Sequence, residues 1–126
     1  MAQYIASVRT ARLQEVLDRI DAGVAAGGAR MKIYTTGRGT LLANCEMDEP
    51  AGSVTGDVLT FTTPFGDTSA DNSGTPAIAD IEDSDGVTVV SGLTVGTSGT
   101  DVIVSSGTIT GGVPFDITSA TITHPT

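Results

Sequence analysis

Nucleophilic catalysis by Ser or Cys needs a base beside the nucleophile, and His is the usual one. This chain has a single cysteine, Cys45, and a single histidine, His124, two residues from its end. Nothing in the sequence places them together. Cys45 lies in the run Thr40-Leu-Leu-Ala-Asn-Cys-Glu-Met47, where a thiol serves as a small core residue. Zinc requires several Cys or His ligands at set spacing, and one of each does not supply them. The acidic run Asp80-Ile-Glu82-Asp83-Ser-Asp85-Gly86 invites a calcium reading. With Gly86 at the sixth position of an EF-hand loop, an acid would be required at 81 and a Glu at 92. Ile81 and Gly92 stand there, so the motif fails and only a looser site shared between subunits is left. Carboxylate pairs for glycoside hydrolysis sit in clefts with aromatic side chains that stack on sugars, and the chain has no Trp, two Tyr and three Phe. Thr36-Gly-Arg-Gly-Thr40 lacks both glycine-rich patterns that cradle phosphate and reads as a hairpin tip. The expectation is a non-enzymatic protein with no catalytic, cofactor-binding or metal-ligating residue.

Charge is the stronger signal. All six bases, Arg9, Arg12, Arg19, Arg30, Lys32 and Arg38, lie in the first 38 residues with three acids, which leaves that segment at +3. The other twelve acids stand in residues 39–126 without a base, so that part carries −12 and the whole chain −9. An acidic domain repels phosphate backbones, which argues against nucleic acid as a partner. Opposite charge at the two ends suits head-to-tail contact between copies. The six bases are therefore the expected protein-interface residues, with Arg38 matched to an acidic patch on another subunit.

The elements that would position these groups follow from periodicity. Leu13, Val16, Leu17, Ile20 and Val24 recur at three- and four-residue steps and predict a helix over 7–26. Ser7 or Thr10 is the expected cap, Glu15 and Arg19 form an i,i+4 pair, Gly23 weakens the last turn, and Gly27–Gly28 ends it. Strands are expected over 29–34, 40–47 (with Pro50 stopping the chain beyond it), 57–63, 77–83, 87–95 and around Val102–Val104, with a last one from Phe115 to the end. Ser84-Asp-Gly86 is an Asp-Gly turn closing a hairpin. The alternation slips between Ile117 and Ala120, which calls for a bulge near Ser119. Residues 64–76 read as a long polar loop, mobile or in contact with a partner. Sixteen glycines, 39% hydrophobic residues and 4% aromatics describe a core of Val, Ile, Leu and Ala. One helix (1–28) and seven or eight consecutive antiparallel strands (29–126) suggest a single β-sandwich, jelly-roll-like or immunoglobulin-like. The lone cysteine fits folding in a reducing cytoplasm. No signal-peptide pattern or membrane span is expected.

In order, "ARLQEVLDRIDAG", "ARMKIYTTGR", "LLANCEM", "GDVLTFT" and "DSDGVTVVSGLTVGTSGTDVIVSSGTITGGVPFDITSATIT" cover most of the chain. This arrangement resembles small virion-associated structural proteins of tailed bacteriophages and prophages. Those have a Pro after the segment matching YTTGR and an aromatic strand before the Asp-Gly turn. Here the Pro is missing and the strand reads AIADIED. The resemblance implies a capsid decoration or cement protein, a homo-oligomer with trimers favoured, bound to the major capsid protein or other virion subunits. It implies a location on the virion, after synthesis in the host cytoplasm. The alternatives are a tail- or fibre-associated subunit and a carbohydrate-binding module.

Overall fold

The computed structural model describes residues 3–22, 28–48 and 51–124. Helix α1 (Ala6–Ile20) is followed by strands β1 (Arg30–Tyr34), β2 (Leu41–Glu46), β3 (Gly52–Thr55), β4 (Val58–Phe61), β5 (Phe65–Asp67), β6 (Ile78–Glu82), β7 (Thr88–Gly96), β8 (Val102–Val104) and β9 (Phe115–Thr123), with a 3-10 turn over Thr36–Arg38. Val24, Gly23, Gly27 and Pro50, part of the sequence argument for where α1 and β2 end, lie outside the described residues.

The strands do not form the expected sandwich. They run in the order β9-β5-β2-β1-β6-β7-β8, and β8 pairs again with β9, closing a seven-stranded barrel. A ring with an odd number of strands cannot alternate direction throughout, so one neighbouring pair must be parallel. That pair is β7–β8, joined through Val95–Val102 and Gly96–Ile103. The expectation of consecutive antiparallel strands fails at this point for that topological reason. The loop between them doubles back on Asp101, whose carboxylate accepts from the Thr94 N–H and Oγ1 while its own N–H donates to Thr94 Oγ1.

β9 makes the closure possible. On one edge it carries β8, from Ala120 to Ile117. Its partners β5 and β4 take successive stretches, Phe115–Ile117 and Thr121–Thr123. Residues 58–67 therefore follow β9 as one interrupted strand, and β3 hangs on β4 as an outer hairpin. The register of β8 on β9 shifts between Ser119 and Ile117, which is the bulge that the slipped alternation demanded. Three further irregularities help the sheet to coil, one of them at Val89 of β7, between the partners of Ile81 and Glu82 of β6. Leu42 is the extra residue where β2 passes β1, and Ser91–Gly92 bulge from β7 opposite Asp80.

The interior alternates large and small side chains, as a narrow barrel requires. Met31, Ile33, Ile81, Val102 and Ile117 interleave with Ala43, Cys45, Ala79 and Ala120, all 0–1% exposed. Helix α1 lays Leu13, Leu17 and Ile20 onto this core and packs on β3, β4 and β7. At the opposite end, residues 68–76 are pinned rather than free. Ala70 exchanges backbone bonds with residues 112–113, Gly74 pairs with Ile109, and the Asp71 and Asn72 N–H groups donate to Leu42 O. The predicted contact loop thus serves as a cover for its own barrel, with Ala70 and Ile109 buried beneath it.

Candidate functional site

The six bases predicted as an interface divide into two sets. Arg30, Lys32 and Arg38 belong to the outer flank of β2, β1 and β6, and Arg9, Arg12 and Arg19 to α1. On β1 the alternation turns Met31 and Ile33 inward and leaves Arg30, Lys32 and Tyr34 outside. Pairing with β2 and β6 then sets Arg30 between Glu46 and Glu82, and Lys32 between Asn44 and Asp80. Lys32 reaches Glu82 at 3.2 Å.

Arg38 comes back over this flank. Its Nε and Nη2 donate to the two carboxylate oxygens of Asp80, each at 2.9 Å. Such a two-pronged bond fixes orientation as well as charge. Asp80 is only 8% exposed, the one charged residue buried among the described residues, and it also accepts the N–H of Gly92 from the β7 bulge at 2.9 Å. The bond from Arg38 holds the Asp80 carboxyl below the usual carboxylate range, against the opposing effect of burial. Arg38 has φ 57°, the left-handed region that non-glycine residues seldom adopt, directly after Gly37 at φ 68°. The partner expected for Arg38 on another subunit is thus found within its own chain, 42 residues away.

Arg9 is likewise engaged inside the chain. Its Nε lies 2.6 Å from Asp57 in the β3–β4 turn, and another of its nitrogens donates to Tyr4 O. Thr10 Oγ1 donates to Gly56 O in the same turn, at 2.7 Å. Thr10 therefore ties the helix to the hairpin and does not cap it; Ile5 occupies the cap position, without a side-chain bond. Arg19 pairs with Glu15 at 3.0 Å on the exposed side of the helix, a bond of small energetic weight. Arg12 differs: its guanidinium stands 4.5 Å over the Tyr4 ring, and Tyr4 meets His124 edge-on at 5.9 Å.

Around this stack lies an open groove of about 340 Å³, lined by Arg12, Leu13, Glu15, Val16 and His124. Five large apolar residues are exposed among the described ones, and three of them, Tyr4, Ile5 and Val8, surround the start of α1. Composition alone does not reveal this patch. The helical period identifies which residues face inward, but not that Tyr4, Ile5 and Val8 at the start of α1 stay exposed.

The chemistry-bearing groups remain apart. Cys45 is enclosed in the barrel, and its thiol is pushed up to about 12 by burial and by the nearby carboxylates Asp67, Asp116 and Asp71. It is therefore a poor nucleophile. The acidic run tested for calcium splays out. Asp80 and Glu82 face the flank, whereas Asp83 accepts from the Asp85 and Val87 N–H groups and shapes the turn. Among the described residues no three His, Cys, Asp or Glu side chains converge as a metal site would require, and no helix is long and apolar enough to cross a membrane. Comparison of the chain with protein-family models, with curated proteins and with solved structures found no match.

Proposed function

We propose that this chain is a non-enzymatic structural subunit of a bacteriophage virion, most favourably a capsid decoration or cement protein that binds and stabilises the shell. The observation that carries the reading is the surface of α1. Tyr4, Ile5 and Val8, three of the five large apolar residues exposed among those described, gather at the start of α1, and Arg12 borders them. Exposed apolar residues gathered in one place mark a contact with another protein more often than scattered ones do. The order of motifs along most of the chain, similar to virion-associated proteins, supplies the class of partner.

Purified protein should bind expanded capsids saturably and raise their melting temperature. Failure to bind would overturn the reading. Arg9, Arg19, Lys32 and Arg38 already have carboxylate partners within the chain. Salt should therefore weaken binding only modestly, since most of the bases are already paired within the chain.

A further inference from the structure

Two exposed apolar sites lie just beyond the two ends of β9. At about 3.3 Å per residue its nine residues span roughly 30 Å. His124 follows its last residue and lies beside Tyr4 and Arg12. Val113 stands two residues before its first, in the turn at Gly112, and is 48% exposed. The surroundings of these two exposed apolar sites differ in charge. Near the start of α1, Arg12 stands over the Tyr4 ring with no ion pair among the described residues, and Glu15, which shares its groove, is bound by Arg19. Around Val113 the carboxylates are Asp67, Asp71 and Asp116. Asp67 faces Phe115 across the β5–β9 ladder, Asp71 follows the residue whose N–H donates to Val113 O, and Asp116 is exposed on β9.

We infer that copies of this chain associate head to tail, the Tyr4–Ile5–Val8–Arg12 end of one seated on the Val113 end of the next. This rests on the structural reading above and names the partner of the α1 surface as a second copy. The complement in both respects is present on the molecule itself, with an apolar patch and a cation at one end and an apolar turn among carboxylates at the other. A contact between unlike patches does not close by itself, so association continues beyond a dimer into a ring or a filament.

Sedimentation over a concentration series, at low and at high salt, tests this in the absence of capsids. Wild-type protein should grow beyond a dimer, less so in high salt. Ile5→Asp removes apolar area from one end, and Val113→Asp does so at the other. Each should weaken association about tenfold or more. Asp at position 5 also provides the side-chain cap that Ile5 lacks, so the helix is preserved. Unchanged melting temperatures would show that both variants fold. The decisive sample is an equimolar mixture. Each variant keeps the end that the other has lost, so together they should form one-to-one dimers that grow no further. Wild-type protein that stays monomeric throughout would overturn the inference. So would a mixture in which the two variants ignore one another while wild type associates. Capsid binding by a strictly monomeric protein would defeat the head-to-tail contact and leave the virion reading intact; self-association without capsid binding would do the reverse.

Discussion

Asp80 is the residue on which most of the outer flank depends. A carboxylate 8% exposed is stable as a charge only because Arg38 and the Gly92 N–H bind it. Its folded pKa lies below the unfolded value. The stability it contributes is therefore fully present above the unfolded range near pH 4 and is lost as pH falls through the depressed folded value. Asp80→Asn keeps the shape and removes the charge. This variant should unfold at lower urea than wild type at pH 7, and the difference should shrink as pH falls below about 4. A difference that stayed constant into acid would mean that the carboxylate charge is not what matters. Arg38 and Asp80 were both visible in the sequence as charged residues. Their pairing was not, because 42 residues separate them and only the pairing of β6 with β1 brings Asp80 beside the hairpin that carries Arg38.

At the scale of elements, the tightest point is where β5 crosses β9. Gly66 pairs with Asp116, and a Cβ placed on Gly66 would stand 2.0 Å from Phe115 O and 2.9 Å from the Asp116 Cα. Both are backbone atoms and cannot swing aside. Gly66→Ala should therefore cost roughly 3 kcal/mol by chemical denaturation, as overpacking with a backbone shift does. Gly107→Ala is the control, since its nearest neighbour would be Thr97 Cγ2 at 4.0 Å, and it should be nearly neutral. Equal effects would show that β5 does not approach β9 so closely. Several elements were legible. The apolar stripe of α1, the alternation of β1, the Asp-Gly turn and the bulge in β9 each follow from local pattern. β3 and β5 were not, because Gly52-Ser-Val-Thr55 and Phe65-Gly-Asp67 each hold a single large apolar residue, whereas the equally short β4 and β8 hold two or more. Their strand character comes from the partner strand, not from their own side chains.

The whole molecule is a closed ring with one appended hairpin, and closure has a measurable consequence. β9 is bonded on both edges, by β8 on one and by β4 and β5 on the other. β3 has only β4 as a sheet neighbour. Amide hydrogen exchange should thus be slowest in β9 and β1, which open only with global unfolding, and faster in β3 and in the first turn of α1. Exchange in β9 as fast as in β3 would mean that the β8–β9 seam is open. The same ring explains why the charge asymmetry of the sequence does not become a free basic arm. Folding brings Arg9, Lys32 and Arg38 against Asp57, Glu82 and Asp80, and leaves Arg12 beside the exposed apolar patch.

By itself the sequence determined the helix stripe, most of the strands and their apolar faces, the acidic balance, and the scarcity of the side chains on which catalysis relies. These are properties of composition and of period, which depend on neighbours within a few residues. The tertiary structure decided that the sheet closes into a barrel rather than a sandwich, that β7 and β8 run parallel, and which bases are bound within the chain. Each of these depends on contacts between residues far apart in sequence. A seven-membered ring must break its antiparallel order at one place, and no local pattern says where.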